Sequence, residues 1–207
     1  MRHFLQTEGF GVRLRPVQMA DSAFIVWLRN QEYVKGRIGD SATETASQQK
    51  WLEAYFERKD DYYFILETLG GFPLGTTGLY EISGENAEWG RYVIRPEVNA
   101  AVTSAILTFD LAFEKLALRE LLARCVSTNL NVHSIVKKCG FVQTETKHAS
   151  QTIGGRSVNM IHFVLKAQRW PQTRERLLPL AQFAEKLILD WEQIQGASLA
   201  AIPRAGN

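Results

Sequence analysis

The sequence predicts an α+β domain, and three observations carry that class. Segments of alternating apolar and polar residues cluster between 62 and 94. Runs at helical spacing stand before and after that cluster rather than between its strands. The length, 207 residues with 45 % hydrophobic and 11 % aromatic side chains, suits one sizeable core with an appendage.

The first strand is VRLRPVQ at 12–18, followed by Asp21, whose carboxylate predicts the cap of a first helix carrying Phe24, Trp27 and Leu28. Thr45 with Gln48 reads as a capping box for a second helix striped by Trp51, Leu52, Tyr55 and Phe56. Three antiparallel strands follow, YYFILET, LGTTGLYEI and AEWGRYVI, broken by GGFP at 70–73 and SGEN at 83–86. Beyond Pro96, Val102, Ile106, Phe109, Phe113 and Leu116 predict a long helix over 100–118. The run ELLARCVST at 120–128 predicts a strand buried on both faces. A short helix then ends at Gly140, and Gly154-Gly155 closes a terminal hairpin. The compact domain is expected to span 1–170. Pro179 is expected to open an amphipathic extension over 171–195 that docks on its own domain or on a second subunit, and the tail 196–207 to be disordered.

Charge excludes some partners. With 24 Lys+Arg against 22 Asp+Glu the net charge is +2, and no basic run forms a phosphate-binding stripe, so neither nucleic acid nor an anionic membrane is expected. No stretch has the length and apolarity of a signal peptide or membrane span, which predicts a soluble, cytoplasmic protein. Cys125 and Cys139 lack metal-ligand spacing and read as small core residues, so no metal is expected.

Four segments resemble the GNAT superfamily of acyl-CoA-dependent N-acyltransferases over about residues 10–170. VRLRPVQMAD is similar to the first strand and helix start, and AEWGRYVIRPE to the fourth strand and the turn before the cofactor loop. NLNVHSIVKKCGF, at 129–141, reproduces the Asn after the fifth strand and the Lys-x-Gly-Phe closing the next helix. WLRN, with Trp51, resembles the branch that acetylates amino groups of nucleotide-linked sugars.

The resemblance implies a mixed, mostly antiparallel sheet flanked by helices, with acetyl-CoA as acyl donor. Its pantetheine arm would lie between splayed strands against backbone near Tyr92, Val93 and Ile94, with Asn129 opposite. Its pyrophosphate would sit on the loop and helix start formed by Asn99, Ala100, Ala101, Val102 and Thr103, where free amides favour an anion. The family's loop glycine is replaced by Val98, and Asn99 is expected to supply the αL conformation instead. The family's tyrosine acid is Val136 here, so a general acid must come from elsewhere; His133 and Ser134 stand nearby, and His133 equally suits a capping role.

The resemblance implies Glu88 as the base, at a position on the fourth strand from which family members deprotonate the amine through water, and strand alternation puts it on one face with Gly90, Tyr92 and Ile94. Arg29, Asn30 and Tyr80 are the expected acceptor-binding residues, Arg29 for a phosphate. Three functions stand open: acetylation of a nucleotide-linked amino sugar, acetylation of a protein amino terminus, and a non-catalytic binding module with the same fold.

Overall fold

The computed structural model describes residues 3–195, in which eight strands form. The strands are β1 (Thr7–Gly9), β2 (Val12–Pro16), β3 (Tyr62–Thr68), β4 (Pro73–Ser83), β5 (Asn86–Ile94), β6 (Glu120–Val126), β7 (Val142–Ile153) and β8 (Arg156–Lys166). They make one sheet in the order β1-β2-β3-β4-β5-β6-β8-β7. Every pairing is antiparallel except β5 with β6. The mixed, mostly antiparallel sheet thus agrees with the sequence expectation.

The five helices are α1 (Ser22–Arg29), α2 (Thr45–Phe56), α3 (Ala101–Asp110), α4 (Leu130–Lys138) and α5 (Trp170–Gln195). Helices α1 and α2 cover one face through Phe24, Leu28, Leu52 and Tyr55 packed on Tyr63 and Ile65. Helices α3, α4 and α5 cover the other, with Phe109, Val136 and Leu177 gathered around Trp89, Leu121 and Phe163.

Several local expectations are corrected. Strand β1 is absent from the sequence reading; Phe10 and Gly11, at φ 53° and 75°, turn it tightly onto β2. Asp21 does not cap α1, because Arg15 holds both carboxylate oxygens at 2.8 Å and the Gln18 amide donates at 2.7 Å. That charge-assisted fork outcompetes a neutral helix amide. Thr45 lies inside α2, whose cap residue is Glu44 without a side-chain bond, so the capping box does not form. Helix α3 ends at Asp110 and widens into a π-turn over Leu111–Lys115, where the Leu116 amide bonds the Leu111 carbonyl. Strand β6 is buried on one face only: Leu121, Ala123 and Cys125 point inward, while Leu122 and Arg124 are exposed.

The largest correction concerns Pro179. It lies inside α5, which starts at Trp170. Pro179 is exposed, so the backbone carbonyl it leaves without a donor can bond water. The boundary expected at 170 therefore falls in the first turn of α5, and Trp170, Leu177 and Ala181 belong to the domain core. Inward-facing Ala184 and Ile188 join a second cluster with Val98 and Ala100. The tail expected to be disordered, 196–207, lies outside the described residues. At the hairpin, Gly154 and Gly155 take φ values of 56° and 74°, as the paired glycines predicted.

Candidate active site

The site is built where β5 parts from β6. The parallel pairing holds only at Asn86↔Glu120, Ala87↔Leu121 and Glu88↔Leu122, although β5 continues to Ile94 and β6 to Val126. Just beyond, β5 bulges: Thr76 pairs Val93 and Gly78 pairs Gly90, which leaves one extra residue on β5, and Arg91 takes φ 49°. The Thr76 hydroxyl donates to the Arg91 carbonyl at 2.7 Å and holds the bulge. A bulge re-aims side chains. Here it shifts the alternation by one, so Tyr92 shares a face with Trp89, the ring centroids 4.7 Å apart, while Arg91 joins Tyr80 on the other. The expected common face of Glu88, Gly90, Tyr92 and Ile94 is thereby corrected.

Two cavities meet along the cleft. One of about 350 Å³ runs past Glu88, Tyr80, Arg124 and Arg29; the other, of about 290 Å³, runs past Ile94, Asn99, Ala101 and Tyr33. Tyr92, Val93, Asn129 and Arg37 line both, so the spaces adjoin.

In the first cavity Glu88 is 6 % exposed, and both its oxygens are engaged. Tyr80 donates to Oε1 at 2.9 Å, and the Arg124 guanidinium pairs with Oε2. Arg124 also binds Glu81 Oε2 at 3.0 Å, so one cation bridges two carboxylates. Burial, then the Glu88 charge, raises the Tyr80 hydroxyl above its ordinary value, keeping it a neutral donor. Tyr80 reaches Glu88 by lying over Gly90, where an added Cβ would stand 2.2 Å from its hydroxyl oxygen.

Arg91 forms a fork with Asp61 and stacks between Tyr80 and Tyr63, 4.3 and 5.2 Å from the ring centres. Arg29 donates through Nε to Ser41 at 2.9 Å and has no carboxylate partner among the described residues. Arg37 is exposed, and its side chain likewise has no ion pair among them. Asn30 has a different task from the one expected: its amide donates to the Val26 and Ala42 carbonyls, each at 2.8 Å, which pins the loop after α1 and leaves it outside both cavities.

The second cavity ends at the amino terminus of α3. Ala100 is its cap residue and offers no side-chain bond, so the first-turn amides of Ala101, Val102 and Thr103 lack an intrahelical partner. Neither Val98 nor Asn99 takes a positive φ, which corrects the expectation for Asn99. Val98 instead buries its side chain against Leu74 and Ile188, an anchor that glycine could not supply. Arg95 folds back, pairing with Glu97 and packing on Trp27 and Trp191. Its Nη1 and the hydroxyls of Tyr33 and Thr103 are buried without a hydrogen-bond partner. Burial, reinforced by Glu97, pushes the Tyr33 hydroxyl up to about 12. Tyr92 donates to the Ala101 carbonyl at 3.1 Å, tying β5 to the helix start.

Asn129 caps α4, accepting from the Val132 amide at 3.4 Å and donating to the Arg37 carbonyl at 3.3 Å. His133 Nε2 lies 3.1 Å from the Val126 carbonyl oxygen, a capping contact, while Ser134 is exposed and Val136 is buried. The roof of the first cavity joins two segments: the Gly154 amide at the hairpin tip donates to Asp40 at 3.1 Å. Sequence reasoning missed Arg37, Arg91 and Arg124, whose only signal is residue type; Asp61 lies 30 residues from Arg91, Glu81 43 from Arg124 and Asn129 92 from Arg37.

Among the described residues no helix is long and apolar enough to cross a membrane, and no group of three or more His, Cys, Asp or Glu stands as a metal cluster. Residues 12–142 match the family described as the acetyltransferase (GNAT) domain. No curated protein matches the chain. Among solved structures, spermidine N-acetyltransferase from Vibrio cholerae, in complex with CoA and spermine, is similar at TM-score 0.72 and 19 % identity, over 79 % of this chain and 99 % of that one. A GCN5-related N-acetyltransferase from Brucella melitensis reaches 0.74 at 18 % identity, over 86 % of each chain. FdhC, a nucleotide-linked sugar GNAT in its apo form, reaches 0.69 at 24 % identity, over 88 % of this chain and 99 % of that one.

Proposed function

The chain belongs to the GNAT family of acetyltransferases, and from that premise we propose that it acetylates the primary amine of a nucleotide-linked amino sugar, with acetyl-CoA as donor. One observation carries the acceptor class. Arg29 and Arg37, two guanidinium groups without carboxylate partners among the described residues, face the cavity that holds Glu88. A phosphate-bearing amine meets them as counter-ions, whereas a polyamine brings only like charge to them. A protein amino terminus needs an open groove, and this cavity is roofed by Ile38, Gly39, Gln151 and Ile153.

The second cavity suits the donor. The amides of Ala101, Val102 and Thr103, with Asn99 and Ala100 before them, favour a pyrophosphate, and of the buried unpartnered groups those of Tyr33 and Arg95 belong to residues lining this cavity. The edge of β5 at Tyr92, Val93 and Ile94, beyond its pairing with β6, can bond the pantetheine amides, with Asn129 opposite. When bound, acetyl-CoA supplies an activated acyl group and a thiolate leaving group.

Glu88 takes the amine proton, directly or through one water. Arg124 need not leave with it, because Glu81 continues to balance its charge. Tyr80 fixes the carboxylate in place. With no side-chain acid at Val136, water protonates the thiolate.

Acetyl transfer from acetyl-CoA to nucleotide-linked amino sugars, spermidine and an N-terminal peptide should be compared with the purified protein. Turnover is expected with the sugar nucleotides. Higher kcat/KM with spermidine or the peptide would overturn the acceptor reading while leaving the family intact. Leu180, Phe183 and Ile194 remain exposed on α5, and an assembly through them would give a dimer mass by light scattering.

A further inference from the structure

A third cavity, of about 230 Å³, lies between α1, α2 and the loop at 40–42, on the far side of Arg29 and Arg91 from Glu88. It shares those two arginines with the acceptor cavity. Whole-ligand sites run upward from about 300 Å³, so a space of this size adjoining another suits one part of a larger molecule.

What marks it as built is Gln48. This side chain is only 6 % exposed, lines the cavity, and has no hydrogen-bond partner among the described residues. No protein group bonds this amide, and its atoms are not among the sealed unpartnered ones, so whatever fills the cavity, ligand or water, must satisfy them. Gln48 offers a donor and an acceptor in one plane. Its complement is an edge on which a carbonyl stands beside an N–H. Trp51 and Tyr63 supply flat apolar wall, and Ser41 and Ser47 bring hydroxyls to the rim.

Resting on the acceptor reading above, we propose that this cavity holds the nucleobase of the acceptor, its carbonyl and N–H edge read by Gln48. The three parts then lie in order. The amine stands at Glu88, the phosphates at Arg29, whose Nε alone is engaged, by Ser41, and the base beyond them at Gln48. Arg29 stands in the wall common to both cavities, where the charged linker of such a molecule must pass.

Titration with uridine 5′-monophosphate tests this without catalysis, with ribose 5-phosphate as the probe that lacks the base. The intact protein should bind the nucleotide at least tenfold more tightly than the sugar phosphate. Gln48→Leu, which keeps the side-chain volume, should remove that advantage and leave ribose 5-phosphate binding unchanged. Equal affinity of the two probes for the unsubstituted protein, a comparison that needs no variant, would overturn the proposal. So would an advantage that persists in a folded Gln48→Leu protein. If the advantage depends on Gln48 yet no nucleotide-linked amino sugar is acetylated, the base site stands and the acceptor reading falls.

Discussion

Replacing Gly90 by alanine tests how the floor of the acceptor cavity is held. The new Cβ would lie 2.2 Å from the Tyr80 hydroxyl oxygen, 3.0 Å from Cζ and 3.1 Å from Cε1. All three distances are shorter than ordinary van der Waals contact, so the ring must move. Overpacking costs about 1–3 kcal/mol. The ring also carries the 2.9 Å hydrogen bond to Glu88, and a bond to a charged group contributes about 1.5–3 kcal/mol. If both apply, Gly90→Ala should destabilise by about 2.5–6 kcal/mol. Tyr80→Phe deletes the atom in the tightest contact and keeps the ring beside Arg91, 4.3 Å from its centre. In that background the same alanine should cost about 1–2 kcal/mol less, a coupling within the range of contacting residues. Urea unfolding of the four proteins, followed by tryptophan fluorescence at constant m, measures the cycle. Additive costs, or a Gly90→Ala penalty below about 0.5 kcal/mol, the ordinary scale of surface changes, would refute the argument that Gly90 makes room for Tyr80.

The other predictions use different readouts. Glu88→Gln should lower acetyl transfer by about 10²-fold or more at neutral pH, with the deficit shrinking as rising pH deprotonates the amine; unchanged rates would remove Glu88 as base. Ile188→Ala should cost about 2–5 kcal/mol by leaving a cavity, and should weaken acetyl-CoA binding because Ile188 packs with Val98 and Ala100; calorimetry that finds equal affinity would detach α5 from the cofactor loop. Burial pushes both the Cys125 and the Cys139 thiol up to about 12. The unfolded chain releases those protons first, so the stabilisation is complete below the ordinary thiol value near pH 9 and is lost as pH rises through about 12. Unfolding at pH 8 and 10.5 should show that loss, and substituting both cysteines by alanine should reduce it, the remainder coming from the buried tyrosines whose hydroxyls are likewise raised.

Much of the fold was legible in the sequence because its signals are local. Alternation over 62–94, helical spacing after Pro96 and paired glycines at 154–155 each report on neighbours within a few residues, and the structure keeps all three elements. The family was legible too, through residues 129–141. Other outcomes required the assembled sheet. Asp21 could not be read as a partner of Arg15 rather than a helix cap until both stood side by side, since a bidentate charged pair wins only when geometry permits it. The bulge at Arg91 changed which side chains share a face, and its causes lie across the strand in Thr76 and Gly75, whose Cβ would meet the Val93 carbonyl oxygen at 2.5 Å. Val98 shapes the loop before α3 by burying itself against α5, ninety residues later in sequence. The sequence by itself determined the order of elements from β2 onward and the identity of the acid at position 88. The tertiary structure alone decided that Arg124, Tyr80 and Glu81 surround that acid and that Arg29 and Arg37 stand beside it without a carboxylate partner among the described residues, because pairing of charges depends on distance in space and not along the chain.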